Sequence, residues 1–367
     1  MYPLLLASGT INDVALNIAN KLIRNTPSNV YDLYLHRKKI IKRFNINKYN
    51  LSSLFQSIEQ LSEDYCFYCY LESKELVSIL NRILNKQISI GEIIALSGFS
   101  DLTEFLDNNY VKKSYSRIEN DHCSSFINNK HKDSIWIAAG QTWDMPKVYL
   151  KHSVLIHRVI GKRSFVTLSL SLGHAHLGMN DQGVVVVINN LKSRERAITG
   201  LPFTIIVTKI LLEARNAEEG LNILLKAPRL GSHNYIIVDK QGNAYNIEVT
   251  PKDYAIYRVS NEIFIHTNHF LHNKFKNTGI NYSSSSLSRF SRLKEILEKQ
   301  ERINDETIHK AFSDHVGPIC RHSSSNDKVV TIGAAWFKPL SLDMMIIRGN
   351  PCMNKYRRYN IGRGREI

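Results

Sequence analysis

The spacing of apolar residues changes about a third of the way along the chain. Up to about residue 121, apolar positions recur every three or four residues, which is the spacing of a helix buried along one face. This pattern predicts helices at 15–23, 31–43, 51–61, 76–84 and 90–96. The first third of the chain is therefore expected to be helical.

Beyond residue 121 the apolar runs become short and rich in Val, Ile and Phe, which is typical of strands. Strands are predicted at 135–139, 154–159, 165–170, 183–189, 254–259 and 262–267, and hairpins at 234–249 and 329–348. Helices are predicted at 204–215, 217–225, 286–299 and 305–312. Hairpins that alternate with pairs of helices indicate α+β layers and not a doubly wound parallel sheet. The basic stretch at about 355–367 is expected to be a frayed tail.

Composition narrows the classes of protein that remain. A chain of 367 residues has room for about two domains. With 43% hydrophobic and 22% charged residues it is not a disordered chain. The formal net charge of +15 suits nucleic acid, anionic membranes or acidic small molecules, and does not choose among them. For the basic run at 36–43 we favour a solvated helix face over a binding patch.

The cysteines and the apolar runs indicate a reducing, cytoplasmic location. Five cysteines are too few for a disulfide scaffold, and an odd number leaves one over. A secretory signal requires a basic residue before its apolar segment, and no Lys or Arg precedes the short apolar run at 4–7. The run at 184–188 is far shorter than the ~20 residues that cross a bilayer.

Two other spacings suggest metal or redox chemistry, but a packing role explains each of them better. Cys66 and Cys69 have thioredoxin-type spacing, yet they sit among aromatic residues with no second cysteine pair. His174 and His176 alternate along a strand and share a face, but no third ligand is evident. We therefore expect no metal and no redox cofactor.

Polar residues at the ends of predicted elements are the candidates for chemistry. Cys123 lies where the helical pattern gives way to strands, although a lone cysteine is more often a small buried hydrophobe. Asp144 follows 21 residues later at a strand end, and Asn234 opens a hairpin strand. His269 ends another strand, and Arg289 lies at a helix start. Each of these signals is weak alone.

Together and in this order they resemble one family. The family is the acyl-coenzyme A:6-aminopenicillanic acid (isopenicillin N) acyltransferase family of the N-terminal-nucleophile (Ntn) hydrolase superfamily. The resemblance covers nearly the whole chain and rests on Glu75-Leu76, 90–96, Cys123-Ser124-Ser125-Phe126, Gly140-Gln141-Thr142-Trp143-Asp144, 178–183, Gly200-Leu201-Pro202, 234–239, 247–251, 266–271 and Ser288-Arg289. The set is specific, although no single element is.

The resemblance implies a fold and a division of the chain. The fold is a four-layer α/β/β/α sandwich of two antiparallel sheets between helices. Residues 1–122 would form a helical segment before the nucleophile, and residues 123–367 the sandwich. Cleavage between His122 and Cys123 would turn the first segment into a small subunit that stays associated with the second.

The resemblance also implies roles. After self-cleavage, Cys123 would supply a thiol nucleophile and, through its new α-amino group, a base with an unperturbed pKa near 7.7–8.0. Asp144 would hold that amino group, and Arg289 would pair with the carboxylate and favour the thiolate. Asn234 would donate to the oxyanion. Three residues would support these groups: Asn268, His269 and Ser288.

One residue departs from the family pattern. The position before the nucleophile is usually Gly, and here it is His122. Glycine tolerates a strained backbone that favours an N-to-S shift, whereas histidine resists it, although its imidazole could assist proton transfer. We still favour self-cleavage.

The sequence therefore favours an amidohydrolase or N-acyltransferase that acts through an acyl-Cys123 thioester. Its substrates would be small-molecule amides or acyl thioesters, acyl-coenzyme A among them, and no nucleic acid or membrane partner is expected. The alternative is a non-catalytic binding protein with this fold and a basic surface, in which His122 blocks maturation. A papain-type protease is less well supported, because its cysteine lies on a helix and Cys123 begins a strand run.

Overall fold

The computed structural model describes residues 2–25, 27–44, 50–107, 122–130, 137–279, 284–324 and 328–366. The α-helices in these ranges are α1 Ile11–Asn25, α2 Pro27–Ile41, α3 Leu51–Tyr65, α4 Phe67–Leu84, α5 Ile90–Ser97, α6 Phe99–Asp107, α7 Phe203–Glu213, α8 Ala217–Lys226, α9 Ser284–Glu298 and α10 Asp305–Phe312. The strands are β1 Leu4–Gly9, β2 Ser125–Asn128, β3 Ala138–Pro146, β4 Ser153–Ile160, β5 Arg163–Leu170, β6 Ala175–Asn180, β7 Val185–Asn190, β8 His233–Val238, β9 Ala244–Val249, β10 Tyr254–Arg258, β11 Ile263–His266, β12 Val329–Lys338, β13 Asp343–Arg348, β14 Arg357–Asn360 and β15 Arg365–Glu366.

The predicted helices of the first third are confirmed, and their ends follow local rules. Asn50 caps α3 by accepting from the Ser53 amide, and Ser89 caps α5 by accepting from the Glu92 amide. The helix α4 begins earlier than predicted and carries Cys69, with Cys66 at its N-terminal end. Both thiols are buried in the apolar core, where the packing interpretation puts them.

The basic run on α2 is only partly a solvated face. Arg37 is buried, donates to the Leu96 carbonyl, and lies 5.0 Å from the Phe99 ring centroid. Lys38 forms an ion pair with Glu92 at 2.7 Å. The expectation that the whole run faces solvent is therefore wrong at Arg37, whose charge stabilises the packing of α2 on α5 and α6.

The first sheet, which we call sheet I, has the strand order β1-β4-β5-β6-β7-β8-β9-β10. Its edge strand β1 pairs in parallel with β4, so the segment before residue 123 is not wholly helical and sheet I is not wholly antiparallel. The burial of β1 alternates, with Leu5 and Ala7 inside. Leu4 and Leu6 are 43% and 41% exposed, so apolar residues on both faces conceal this alternation in the sequence.

The second sheet, which we call sheet II, has the order β11-β2-β3-β12-β13-β14-β15. The expectation of a frayed tail is wrong, because residues 357–360 pair with β13 and residues 365–366 pair with β14. Tyr359 and Ile361 are buried, and the Tyr359 hydroxyl lies 2.7 Å from His157 Nδ1 on sheet I. These side chains hold a segment whose first two strand residues, Arg357 and Arg358, are basic and exposed. The predicted strand at 135–139 falls partly outside the described residues, and its described part begins β3.

The two sheets face each other and carry helices on their outer faces. Strand β7 of sheet I contacts β2 and β3 of sheet II. Helices α1, α7 and α8 pack on sheet I, and α9 and α10 close a second core over sheet II around Phe126, Phe312 and Trp336. The α+β class and the four-layer α/β/β/α sandwich are confirmed. Because both faces of each sheet are covered, strands such as β7 are buried along almost their whole length.

A buried ion pair anchors the helical segment to sheet I. Arg158 on β4 donates to both carboxylate oxygens of Glu72 on α4, at 2.9 and 2.8 Å. It also donates to the Thr167 hydroxyl and the Gly173 carbonyl, at 3.0 and 2.9 Å. Burial by itself raises the pKa of Glu72, but the Arg158 charge and hydrogen bonds outweigh it and hold that pKa below its usual value. Both charges are thus retained in the core.

Replacing Glu72 with Ala leaves the Arg158 charge buried without a counter-ion. We expect the free energy of unfolding to fall by about 3–5 kcal/mol, measured by urea denaturation. The matched control is Asp32→Ala, which breaks the exposed Lys151–Asp32 pair and should cost about 0–1 kcal/mol. Equal losses in the two variants would contradict the anchoring role of the buried pair.

Candidate active site

The candidate nucleophile, Cys123, lies just before β2 in sheet II and is buried. The residue before it, His122, pairs with Asp144 of β3 through two backbone hydrogen bonds. The His122 amide donates to the Asp144 carbonyl at 3.2 Å, and the Asp144 amide donates to the His122 carbonyl at 3.0 Å. The backbone that leads into Cys123 is therefore held along β3.

The peptide bond between His122 and Cys123 is hydrogen-bonded at both its carbonyl oxygen and its N–H. Its carbonyl oxygen, on His122, accepts from the Asp144 amide. Its N–H, on Cys123, donates to Asn268 Oδ1 at 2.9 Å. This is the bond at which the sequence predicts cleavage.

Arg289 lies in the first part of α9 and is completely buried. Its Nη1 donates to the Cys123 carbonyl at 2.6 Å and to Ser124 Oγ at 3.0 Å. Its Nη2 donates to Asn268 Oδ1 at 2.9 Å. Burial lowers the pKa of Arg289, and the charges of Asp144 and Cys123 oppose that effect. The guanidinium thus acts on the residue predicted as nucleophile through direct hydrogen bonds.

The sequence also predicts that Arg289 pairs with the Asp144 carboxylate. The carboxylate influences Arg289 through its charge, and its Oδ1 accepts from Thr331 Oγ1 on β12 at 2.7 Å. Thr331 lies opposite Asp144 in the β3–β12 pairing, so the cross-strand register brings the hydroxyl to the carboxylate.

Asn268 has a more direct place than the supporting one expected for it. Its Nδ2 donates to the Asn190 carbonyl at 3.0 Å, which orients the amide so that Oδ1 accepts from both Cys123 and Arg289. Its backbone amide donates to Ser286 Oγ at 2.9 Å. The residue therefore connects the candidate nucleophile, the buried arginine and β7.

Asn234 reaches the site through one intermediate residue. It is fully buried on β8, and its Nδ2 donates to Asn189 Oδ1 on the paired strand β7 at 3.3 Å. The same Asn189 oxygen accepts from Ser125 Oγ, two residues after Cys123, at 2.6 Å. A chain of side-chain hydrogen bonds thus joins sheet I to the strand that follows the candidate nucleophile.

Of the two remaining residues expected to support the site, His269 lies beside it and Ser288 does not. His269 Nδ1 lies 2.8 Å from Ser286 Oγ, and burial lowers the pKa of this imidazole to about 4. Ser288 is exposed on the outer side of α9. Ser286, for which no role was predicted from the sequence, makes the contacts that were expected of Ser288. The two serines are two positions apart on the helix, so their side chains lie on different faces. No role was predicted for Ser125, Asn189 or Thr331, although Ser125 belongs to the Cys123-Ser124-Ser125-Phe126 motif and Asn189 to the polar strand end Asn189-Asn190.

His122 is a buried and uncharged imidazole. Burial lowers its pKa well below the usual value, and the positive charges of Arg289, Arg321 and Lys192 lower it further. At neutral pH the ring therefore adds no further positive charge beside Arg289.

The two histidines considered as metal ligands on β6 and before it are core residues. His174 Nε2 lies 2.8 Å from Ser73 Oγ, and the His176 ring packs against Trp143 with centroids 5.0 Å apart. Burial lowers the pKa of His174 to about 4 and that of His176 to about 3. In the described part of the chain, the side chains that could hold a metal ion together lie in another cluster, which is treated below.

Comparison of the sequence with models of known protein families identifies the family of this chain. The model of the acyl-coenzyme A:6-aminopenicillanic acid acyl-transferase family matches residues 128–352, which is more than half of the chain. The chain belongs to this family. The family match contains Asp144, Asn234, Asn268 and Arg289, and begins just after Cys123. Membership identifies the protein as an enzyme of the acyltransferase type.

Solved structures with similarity to this chain include an N-acylethanolamine-hydrolyzing acid amidase ortholog from Caenorhabditis elegans, at 12% identity and a TM-score of 0.45, covering 59% of this chain and 93% of that one. A mutant conjugated bile acid hydrolase from Clostridium perfringens has 11% identity and a TM-score of 0.45, with 65% and 96% coverage. Penicillin V acylase from Agrobacterium tumefaciens has 11% identity and a TM-score of 0.40, with 62% and 83% coverage. No curated protein sequence matches the chain.

Among the helices of the described ranges, none combines the length and the apolar character needed to cross a membrane.

The serines of α9 provide a matched pair of variants. In Ser286→Ala, the backbone amide of Asn268 and the hydroxyl of Thr267 lose a buried partner, at 2.9 and 3.0 Å in the structure. We expect the free energy of unfolding to fall by about 1–3 kcal/mol. Ser288→Ala, on the exposed side of the same helix, should change it by less than about 0.5 kcal/mol. Urea denaturation of both variants checks this, and a larger loss in Ser288→Ala would reverse the assignment.

Proposed function

We propose that the protein is a cysteine-dependent amidohydrolase or N-acyltransferase that acts on small-molecule amide bonds through an acyl-Cys123 thioester, after cleaving itself between His122 and Cys123. The observation that carries this proposal is the convergence of Asp144, Asn268 and Arg289 on that peptide bond and on the Cys123 carbonyl. Buried backbone groups need hydrogen-bond partners at any position, but a cysteine that served only for packing would not need a buried guanidinium at its carbonyl.

The cleavage step would use the contacts already made by the peptide. The Cys123 sulfur attacks the His122 carbonyl carbon, the C–N bond breaks, and the thiol proton passes to the Cys123 nitrogen. Water then hydrolyses the thioester, which leaves a carboxylate on His122 and a free thiol and α-amine on Cys123. The Asp144 amide donates to the carbonyl oxygen on which negative charge develops, so it is placed to stabilise the intermediate.

His122 in place of glycine is compatible with this step. Its backbone is extended along β3, and its buried imidazole is uncharged at neutral pH because its pKa is lowered. The residue therefore fits the site without a second positive charge beside Arg289, and cleavage would rely on the backbone contacts of the peptide.

In turnover, the free α-amine of Cys123 would accept the thiol proton as the sulfur attacks the substrate carbonyl. An unperturbed α-amine has a pKa near 7.7–8.0, close to neutral pH. The amine then returns the proton to the leaving nitrogen, and water or an acceptor amine takes the acyl group from sulfur. The buried charge of Arg289 beside Cys123 favours the thiolate.

Asn234 is our candidate for the donor to the oxyanion of the tetrahedral intermediate. Its Nδ2 gives one hydrogen to Asn189 and has a second to offer. Its Oδ1 is buried and has no hydrogen-bond partner among the described residues. The second Nδ2 hydrogen is the one that an oxyanion would accept, whereas the buried Oδ1 is an acceptor and would need a donor from the substrate.

The substrate class follows from the family and the charge. The family description names a coenzyme A thioester and an amine acceptor, so we propose acyl amides and acyl thioesters, acyl-coenzyme A included, as substrates. The net charge of +15 suits anionic members of this class. We propose a cytoplasmic location, where its five cysteines, which are thiols in the structure, stay reduced.

The two products of self-cleavage would stay together. Besides the Arg158–Glu72 pair, Asp101 on α6 accepts from the Phe203 amide at 2.6 Å, and Ser97 Oγ lies 2.8 Å from Thr204 Oγ1. These bonds are buried and cross from residues 1–122 to the sandwich. Strand β1 adds a backbone ladder with β4.

Self-cleavage predicts two pieces of 122 and 245 residues. Scaling 42.1 kDa by 122/367 and 245/367 gives roughly 14 and 28 kDa, which intact-mass analysis of the purified protein resolves. Cys123→Ala should remain one chain because it lacks the attacking sulfur, whereas Ser288→Ala should be cut normally. An active preparation that stays at 42 kDa would disprove self-cleavage and leave the fold unaffected.

The oxyanion role of Asn234 predicts a loss of rate without a loss of folding. Asn234→Ala in the cleaved enzyme should lower kcat by about 10²–10³ with a smaller effect on KM. The measurement is steady-state kinetics on an acyl amide that the wild-type enzyme turns over, with circular dichroism to confirm folding. A variant with the full kcat would remove Asn234 from the mechanism.

A further inference from the structure

Four side chains that take no part in the proposed chemistry converge beside sheet II, in the segments before β12 and after β13. His315, Cys320 and His322 lie between α10 and β12, and Cys352 lies in the short helical turn Pro351–Met353 after β13. The ligand atoms, two imidazole nitrogens and two sulfurs, all lie within 4.8 Å of one another.

Four of the six distances among these atoms are close to the edges of a tetrahedron around one metal ion. Zinc bonds of about 2.3 Å to sulfur and about 2.0–2.1 Å to nitrogen place tetrahedral ligand atoms roughly 3.3–3.8 Å apart. His315 Nε2 and His322 Nε2 are 3.2 Å apart, and Cys320 Sγ and Cys352 Sγ are 3.4 Å apart. His322 Nε2 lies 3.2 Å from Cys352 Sγ and 3.8 Å from Cys320 Sγ.

Hydrogen bonds within the cluster do not account for this geometry. His322 Nε2 faces three atoms at once, namely His315 Nε2 and the two sulfurs. A neutral imidazole nitrogen offers either one hydrogen or one lone pair, so it satisfies only one such partner. A cation at the centre would accept a lone pair from all four atoms together.

The surroundings hold the ligand loop in position and solvate one sulfur. Asn350 Nδ2 points at Cys320 Sγ at 3.6 Å and donates to the Arg321 carbonyl at 2.7 Å. The Cys320 amide donates to the Asp314 carbonyl at 2.8 Å, and the Thr331 amide donates to the Arg321 carbonyl at 2.9 Å. An N–H group directed at a cysteine sulfur is the outer contact that stabilises a metal-bound thiolate.

We propose that His315, Cys320, His322 and Cys352 bind one Zn²⁺ ion in a structural site. Soft thiolates with imidazoles in a tetrahedral set select zinc over magnesium or calcium. Four protein ligands leave no open position for a substrate, which makes the role structural. On binding, each cysteine thiol releases its proton to solvent and the resulting thiolate coordinates the ion. His315, His322 and Cys352 are exposed, so the ion enters directly from solvent.

The site would tie the loop at 315–322 to the turn after β13, and that loop adjoins the candidate active site. The Arg321 amide donates to Thr331 Oγ1 at 2.8 Å, and this hydroxyl is the one that donates to Asp144. The zinc proposal does not depend on the proposed function, because its evidence is the ligand geometry alone.

Metal content tests the site directly. The intact wild-type protein, incubated with zinc and dialysed against metal-free buffer, should retain one zinc ion per chain by inductively coupled plasma mass spectrometry. The double variant Cys320→Ser/Cys352→Ser should retain at least about tenfold less, because it lacks both thiolates. Cys123→Ala and His272→Gln are the controls and should keep the wild-type zinc content.

Cobalt substitution tests the ligand set without any variant. Wild-type protein loaded with Co²⁺ should show the strong visible bands of a tetrahedral ion and a thiolate charge-transfer band, both abolished by excess Zn²⁺. A chelator should lower Tm, and zinc should restore it. Wild-type protein that retains no zinc, a double variant that retains as much as wild type, or a Cys320–Cys352 disulfide in non-reducing peptide maps would each overturn the proposal.

Discussion

The guanidinium of Arg289 bonds to three oxygen atoms that belong to, or adjoin, the proposed nucleophile. A buried charge is tolerated only when its donors are satisfied. Here the acceptors are the Cys123 carbonyl, Ser124 Oγ and Asn268 Oδ1, and Nε donates to Ser285 Oγ on the same helix at 3.4 Å. These atoms lie at the start of β2 and after β11, while the arginine lies on α9. The cost of burying the charge therefore fixes a helix and two strand ends of sheet II relative to one another.

The hydrogen bonds that satisfy Arg289 also connect it to sheet I. Asn268 is oriented by the Asn190 carbonyl at the end of β7, and Ser125 is joined to Asn234 through Asn189. The site thus lies where the two sheets face each other, and residues from both sheets complete it. This explains why the candidate residues are so far apart in sequence: each comes from the end of a different strand or the beginning of a helix.

Much of the fold could be predicted, because covered sheets and one-sided helices leave clear apolar periods. The parts that were missed have identifiable causes. In β1, Leu4 and Leu6 are exposed yet apolar, so the alternation that marks a strand is hidden. In the tail, two buried side chains, Tyr359 and Ile361, hold a segment whose charge indicated fraying.

The candidate site was predictable where a motif surrounds the residue, as at Asp144 and Arg289. It was not predictable at Ser286 and Thr331, whose roles depend on helix phase and cross-strand register. The histidine and cysteine cluster was missed for a related reason. Its ligands come from two segments about 30 positions apart, and Cys320 and His322 are separated by a single residue. This spacing has no familiar signature, and it contrasts with our expectation of no metal.

The parallel pairing of β1 with β4 has a consequence for the stability of a cleaved enzyme. The strand belongs to the first 122 residues, but its hydrogen-bond partners belong to the other piece. Before cleavage, the chain finds this pairing as an intramolecular event with a fixed effective concentration. After cleavage, the same ladder would have to form between two separate molecules, so refolding would become second order and slow on dilution. A cut enzyme of this kind would be made once, as a precursor, and its denaturation in dilute solution would be irreversible in practice.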